Sequence, residues 1–266
     1  MSILNNVSAL AASRQLGITN KGLSQTINRL TTGKRINQAS DDAAGLAISN
    51  KLTADTRIAS QGQRNANDGV SIIQTADGVL DEVTNLLTRA AELAQQASSG
   101  TSGADSGTGK TALNAEFQNI ITSLGDLQSN TVFNGASVFG GAALNVTVGG
   151  YSSVAVSVGT FNSLASSDKL DTGANAISAA AKIGTALDAV SALRGSIGAK
   201  SSQLQSVSNS LGIQVQNFTA AASQITDANI ADEVVNLSKF QILNQSGISA
   251  LGKSNTTAQS ILALLQ

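Results

Sequence analysis

The sequence predicts a mainly α-helical protein: an elongated antiparallel helical bundle or coiled coil with paired N- and C-terminal helices, plus a small β-hairpin region mid-chain. Three observations predict it. Over most of the 266 residues, apolar positions recur at alternating steps of four and three, the period of a helix that buries one stripe along a partner. Aromatics make up 3% of the chain and charged residues 12%, while 41% is hydrophobic, mostly Ala, Leu, Ile and Val. Compact cores draw much of their buried area from aromatics, whereas small aliphatic side chains suit long helices packed side by side. One mid-chain stretch changes to a period of two.

Taken in order, the N-terminal segment is helical with a shift of phase. Ile3, Val7 and Leu10 lie on one phase and Leu16, Leu23, Ile27 and Leu30 on another, as in a stutter or a seam that turns to meet more than one partner. Thr31-Thr32-Gly33-Lys34 breaks this helix, and Ser40-Asp41-Asp42 forms a cap before Ala43. A second helix carries an uninterrupted heptad seam: Ile72, Ala76, Val79, Val83, Leu86, Ala90, Leu93 and Ala97. Ser98–Gly109 reads as a flexible turn. A shorter helix follows with Leu113, Phe117, Ile120, Ile121, Leu124 and Leu127, and Asn134-Gly135 signals a turn.

Ala143–Val148 and Val154–Val158 alternate apolar and polar residues around Gly149–Ser153, which reads as a β-hairpin. Leu164–Gly173 is a Ser/Asp-rich linker. A further seam runs from Ile183 to Phe218, interrupted only by Arg194, Ser201 and Ser208. The last runs from Ile230 to Leu265, interrupted by Gln241, Asn244 and Asn255. A helix of about 50 residues is about 75 Å long. Such helices fold back on one another, which brings both termini to one end and the hairpin toward the other.

Composition excludes much chemistry. The chain has no Cys and no His, so disulfide scaffolds, thiolate metal sites, Ser-His-Asp triads and HExxH zinc sites cannot be built. Lys and Arg number 16 against 17 Asp and Glu, a net charge of -1. Without a basic excess nucleic acid is not an expected partner, and low charge density favours association. No apolar run approaches the roughly 20 residues of a membrane span, so membrane insertion is not expected. Met1–Leu10 lacks a positive n-region. The expectation is a cytoplasmic chain, or one exported by a route that needs no cleaved signal.

Ala104–Thr111 (ADSGTGKT) matches a relaxed phosphate-loop pattern through Lys110 and Thr111. It follows the polar end of a helix rather than a buried strand, so a surface turn is the expected reading and a nucleotide is not. Asp41, Asp42, Asp68, Asp77, Asp81 and Glu82 fall on caps or solvent faces without a calcium-loop pattern. The sequons at Asn145, Asn217 and Asn236 are read as chance. No catalytic residue, cofactor or metal is expected, and no enzymatic activity.

The apolar stripes reach both chain ends, where chains usually fray. Ile3, Val7, Leu10, Leu23, Ile27 and Leu30 carry the first. Ile230, Val234, Leu237, Ile248, Leu251, Leu262 and Leu265 carry the last. Stripes placed there predict contacts between subunits.

Several segments also carry a resemblance. Gly33–Leu52 (GKRINQASDDAAGLAISNKL) and Gln63–Val83 (QRNANDGVSIIQTADGVLDEV) closely resemble the N-terminal part of bacterial flagellins. Asn130–Gly135 (NTVFNG) is similar to a turn of that family. Ala186–Leu211, with RGSIGA at Arg194–Ala199, and Ser223–Leu251, with DANIADE and QILNQSG, resemble its C-terminal half. The likeness spans nearly the whole chain except about 139–175. Ala258 stands where the family often has Pro, and Gln266 where a terminal Arg is common.

The resemblance implies a minimal two-domain member. An inner core domain would comprise 1–42 with 225–266, and a rod-like second domain 43–224, with its short helix and β-hairpin. It implies a structural subunit that polymerises into the flagellar filament for motility, with a hook–filament junction protein as the alternative. It implies unfolded secretion by the flagellar type III export apparatus, and partnership with an export chaperone and a filament cap protein. It also implies recognition by Toll-like receptor 5. The family's contact motif, roughly Gln-Arg-x-Arg-Glu-Leu-Ala, matches Thr88–Ala94, and a downstream Glu matches Glu116. Arg89, Glu92, Leu93 and Glu116 are therefore the expected contacts, although Leu93 also falls on the apolar seam.

Overall fold

The computed structural model describes residues 6–99, 107–140, 144–150, 153–156, 158–161 and 164–263. In order, the elements are α1 (Val7–Thr32), α2 (Ala43–Ser98), α3 (Gly107–Asn130), β1 (Val132–Phe133), β2 (Ala136–Ser137), β3 (Leu144–Thr147), β4 (Ser153–Val156), α4 (Gly173–Thr226) and α5 (Ile230–Ala263). The chain divides into two compact units, Met1–Thr56 with Gln216–Gln266, and Arg57–Val215. The sequence placed the division at the helix breaks near 42 and 225; the compact units divide inside α2 and α4.

In the first unit α1 and α5 pair antiparallel. Asn6 Nδ2 donates to the Ser254 carbonyl at 3.2 Å, the Asn20 and Asn244 side chains hydrogen-bond, and Arg29 Nη1 meets Glu233 Oε1 at 3.3 Å. The Asn6 side chain caps α1 by accepting from Ala9 N. Gly33, at φ 69, ends the helix in the left-handed conformation that glycine adopts without penalty. The two connections then run side by side. Arg35 N donates to the Thr226 carbonyl at 2.6 Å and Ala228 N to the Gly33 carbonyl at 2.9 Å, around an antiparallel bridge between Lys34 and Asp227.

The inner seam of this pair is narrow. From α1 it takes Leu16, Thr19, Leu23, Thr26 and Leu30, and from α5 Glu233, Leu237, Phe240, Asn244, Gly247 and Leu251, all buried or half-buried at heptad spacing. Leu16 covers Gly247, and the Phe240 ring lies so close over Gly22 that an added Cβ would sit 2.6 Å from it. The phase shift read in the N-terminal sequence is thus a difference of face. Leu16, Leu23 and Leu30 turn inward, while Val7 and Leu10 turn outward on an unbroken helix.

The connector from Gly33 to α2 is held by two aspartates. Asp41 Oδ2 accepts from the backbone N–H of Asn37 and of Gln38, both at 3.1 Å. These bonds, Asn37 first, hold its carboxyl below the ordinary value of 3.8. Asp42 Oδ1 accepts from Gly45 N at 2.9 Å, the expected cap of α2.

The second unit has a thicker core. Leu80, Val83, Leu87 and Leu93 from α2, Phe117 and Leu124 from α3, and Ile183, Val190, Ile197 and Leu204 from α4 are all buried. Arg194 on α4 reaches Asp77 and Asp81 on α2, both at 3.0 Å, and Ser208 bonds Asn67, so these helices also run antiparallel. The α2 seam is wider than a two-position heptad. Ala76, Val83, Ala90 and Ala97 are buried as expected, but the second buried row is Ile73, Leu80, Leu87 and Ala94, with Val79 and Leu86 half-exposed beside it. By length and composition α4 is apolar enough to cross a membrane, with an 18-residue window of mean hydropathy 1.3. This departs from the expectation that no segment approaches a span. Its Ala176, Ala179, Ile183 and Val190 lie in the core.

The β1–β2 hairpin turns through Asn134 and Gly135, both at positive φ (49 and 80), as a type I′ turn requires. The expected hairpin is β3–β4, with Leu144 opposite Val156 and Val146 opposite Val154. Val146, Val148, Val154 and Val156 are buried and Asn145, Thr147 and Ala155 exposed, the period of two that the sequence shows. The α3 helix begins at Gly107, so part of the expected flexible turn is helical; residues 100–106 of that turn and Ala143 and Ser157 of the hairpin reading lie outside the described residues.

Two predictions test this packing. A Cβ at Gly62 would lie 2.5 Å from the backbone nitrogen of Gly149, whereas one at Gly78 meets nothing within 4 Å. Gly62→Ala is expected to destabilise the protein by about 1–3 kcal/mol, and Gly78→Ala to stabilise it by about 0.5–1 kcal/mol. Urea unfolding followed by circular dichroism measures both. For Asp41 the folded pKa is depressed, so its contribution is complete above the ordinary value and lost as pH falls through the lowered one. Protection of the Asn37 and Gln38 amides is expected to hold from about pH 7 to about pH 5, and to fall below about pH 3. Hydrogen exchange against Asp41→Asn, which lacks this dependence, measures it.

Candidate self-assembly surface

A two-helix pair buries one stripe on each member, and here the stripe is filled by small, polar and a few leucine side chains. The larger aliphatic residues are left on the outside. Val7 and Leu10 are each 71% exposed and Ile18 58% on α1; Val235, Ile242 and Ile248 are 67%, 63% and 56% exposed on α5. Single exposed aliphatics are ordinary on a protein surface, but here they recur on both members of the pair and form extended apolar faces.

Of the residues expected at subunit contacts, Val7, Leu10, Ile27, Ile230, Val234 and Ile248 are exposed. Leu23, Leu30, Leu237 and Leu251 are half-buried on the inner seam. Ile3 and Leu265, and the side chain of Leu262, lie outside the described residues. Sequence reasoning missed Ile18, Val235, Ile242 and Leu243. Following a single heptad register hides them; a second register one residue along, through Val235 and Ile242, finds part of the outer row.

The second unit brings three of the four expected receptor contacts together. Arg89 donates through Nε and Nη2 to Glu116 Oε1 at 2.9 and 2.7 Å, and through Nη1 to Glu92 Oε2 at 3.1 Å. The bonds to Glu116 first, then those to Glu92, raise the guanidinium pKa further. The cluster is exposed, whereas Leu93, at 1% exposure, belongs to the core. Arg194 forms a similar fork across α2 and α4, its pKa raised by Asp77 and then Asp81.

Lys110 and Thr111 lie in the first turns of α3, and the preceding described element is the helix α2 rather than a strand. Among the described residues no buried strand precedes them, the context that a phosphate loop needs. Among the described residues no cluster of three or more metal-ligating side chains occurs.

Long antiparallel helices that pair through a narrow seam and turn their aliphatic rows outward define a structural protein of the kind that associates through helix faces. Known proteins are similar to this chain. A family profile described as "Bacterial flagellin N-terminal helical region" matches residues 3–143, and one described as "Bacterial flagellin C-terminal helical region" matches 180–265. Flagellin of Halalkalibacterium halodurans is 34% identical over 275 residues, covering 100% of each chain. Flagellin FlaB1 of Treponema pallidum is 33% identical over 292 residues, and the flagellar filament 30.7 kDa core protein of Treponema maltophilum 33% identical over 293, again covering 100% of each chain. The crystal structure of Bacillus cereus flagellin superposes with a TM-score of 0.50 at 25% identity, covering 60% of this chain and 94% of that one.

The chain belongs to the bacterial flagellin family. It is a structural protein and not an enzyme: a subunit of the flagellar filament, which many identical copies build and which is part of the extracellular flagellum.

Proposed function

We propose that the outward rows of α1 and α5 are the surface through which this subunit polymerises. The observation that carries this reading is the exposure of Val7, Leu10, Ile18, Val235, Ile242 and Ile248 in the single chain. Fully burying one such side chain contributes about 1.5–3 kcal/mol, so a few per contact outweigh the cost of immobilising a subunit. Ile27, Ile230 and Val234 extend the same surface. Leu23, Leu30, Leu237 and Leu251 act from behind it by fixing the α1–α5 register. Ile3, Leu262 and Leu265 carry the apolar spacing of the sequence toward the chain ends.

The subunit reaches its place unfolded, through the flagellar type III export apparatus. An export chaperone accompanies it, and a filament cap protein receives it at the tip. Composition supports this route. With neither Cys nor Pro, no disulfide needs opening and no slow prolyl isomerisation delays refolding, and long local helices rebuild quickly.

A second reading concerns a host. The exposed cluster of Arg89, Glu92 and Glu116 supports recognition of the free subunit by Toll-like receptor 5, with Leu93 positioning the helix from within the core. Arg is a favoured interface anchor.

Charge placed in the outer rows tests the first reading. Val7→Asp with Leu10→Asp, or Ile242→Asp alone, is expected to leave a helical monomer that fails to extend seeds at concentrations about tenfold above those the wild type needs. Electron microscopy and sedimentation provide the readout, and wild-type filament yield from both variants would overturn the reading. Removal of 225–266 is expected to abolish assembly altogether. For the receptor, the monomer is expected to bind and Arg89→Ala to bind at least about tenfold more weakly. No binding by the wild type, or equal binding by both in a surface-binding assay, would refute it.

A further inference from the structure

The outer face of α1 changes character along its length. It begins with Val7, Leu10 and Ile18, interrupted by the exposed Arg14, and continues on the same face, at steps of three and four, through Lys21, Gln25 and Asn28. These last three line a cleft of about 340 Å³ against the connector at 37–41. The charges around this cleft are almost all committed within the chain. Arg29 is held by Glu233, and the Asp41 carboxylate is taken up by the Asn37 and Gln38 amides. Lys21 is the exception. Among the described residues it has no hydrogen-bond or ion-pair partner, and α1 contains no Asp or Glu to supply one.

The other member of the pair carries exposed charge of both signs on the face of Val235 and Ile242: Asp232 in the first turn of α5 and, seven residues on, Lys239. Among the described residues Asp232 too has no side-chain partner. Its neighbour Glu233 turns inward to Arg29, and the Asn229 side chain already accepts from the Ala231 N–H at the helix start. Asp232 is therefore the unpaired carboxylate of the α5 outer row, as Lys21 is an unpaired cation of the α1 row.

We propose that the Lys21 cleft of one subunit receives the Asp232 carboxylate of a neighbouring copy, with the Gln25 and Asn28 side-chain amides as further donors. This rests on the reading that the outer rows of α1 and α5 are covered in the polymer. Covering Lys21 without a counter-charge strips its hydration for no return, so the face that covers it has to bring an anion. The α5 row brings one. In the proposed contact each subunit offers its cleft to one neighbour and its carboxylate to another, which makes the contact head-to-tail. Such contacts propagate into a helical filament. The pair also selects the lateral register, because sliding the aliphatic rows by one turn removes the carboxylate from the cleft.

A charge swap tests this on the full-length chain, with wild-type filament fragments as seeds for single variants and self-seeding for the double. Lys21→Glu and Asp232→Lys are each expected to raise the critical concentration about tenfold at low ionic strength. The combined K21E/D232K protein is expected to polymerise within about threefold of the wild type, the non-additivity of a direct pair. Circular dichroism checks the fold, and Lys21→Gln and Asp232→Asn, which change almost no volume, are expected to act in the same direction more weakly. Single variants that assemble like the wild type, or a double variant as impaired as the two defects combined, would overturn the pairing. If Lys21→Glu alone is impaired while Asp232→Lys assembles normally and added inorganic phosphate promotes the wild type, the cleft serves a solution anion and the pairing is wrong. Failure here with assembly still blocked by Val7→Asp/Leu10→Asp leaves the polymerisation surface standing. Normal assembly by all of these variants removes both.

Discussion

The narrowness of the α1–α5 seam is the constraint on which the first unit depends. Two helices in contact cover one stripe each, about two positions in seven. Thr19, Thr26 and Gly22 on one side and Asn244 and Gly247 on the other bring the backbones close and leave no room for another row of aliphatics. Polar side chains link the two helices at Asn20–Asn244, on the exposed edge of the seam, and at Arg29–Glu233, where Glu233 Oε1 is bonded and the buried Oε2 is not. They fix register at some expense of hydrophobic stabilisation, a role well attested for buried Asn in coiled coils. The consequence is that Val7, Leu10, Ile18, Val235 and Ile242 are not left over by accident. A pair packed through small and polar residues has no other place for them than its outer surface.

The second unit shows what happens when that constraint is lifted. There α2 meets α4, α3 and the valine face of β3–β4 in one core, so its apolar surface widens from a stripe to a band. Ile73, Leu80 and Leu87 are buried together with Ala76, Val83 and Ala90. The tight approach of Gly62 to Gly149 and of Gly69 to Val146 and Leu204 lets the hairpin sit against the helices. Asn65, donating to the Thr147 carbonyl at 2.8 Å, ties the two together. This unit gathers most of its large aliphatic side chains into a core of its own and leaves Ile58, Val132, Ile177 and Ile213 exposed, whereas the terminal pair leaves most of its large aliphatics outside.

That difference also decides what could be read from the sequence. Helix existence, the caps at Gly33 and Asp42, the Asn134-Gly135 turn and the β3–β4 register follow from local chemistry, which the sequence states directly. The second buried row of α2 does not, because a heptad register describes one partner and α2 has several. Ile18 and Val235 escape for the complementary reason: an outward aliphatic lies off the register that marks the inward seam. Leu93 shows the limit of carrying a contact over by motif alone. Its neighbours Arg89 and Glu92 reach solvent and join Glu116 across 27 residues of sequence, but a step of one on a helix turns Leu93 into the core.

The scarcity of charge gives each charged residue more meaning than it would have in an average protein. With 12% charged residues against roughly 25% in ordinary globular chains, a lone charge is not one of many solvated neighbours. Most of the described ionic contacts work as clamps within a unit: Arg194 across Asp77 and Asp81, Lys182 on Asp168, Arg29 on Glu233, Arg89 on Glu116. Individually exposed pairs contribute little to stability, about 0–1 kcal/mol. Their value is geometric: Lys182–Asp168 ties the segment before α4 to that helix, and the others fix which turn of one helix faces which turn of another. Aliphatic rows cannot do this alone, because Val, Leu and Ile tolerate sliding by a turn at small cost. A polymer that has to repeat one contact many times without register error therefore needs sparse, well-placed polar groups within its apolar faces. The unpaired charges on the outer rows of α1 and α5 meet that requirement in the same way that the Asn20–Asn244 pair meets it between the two helices.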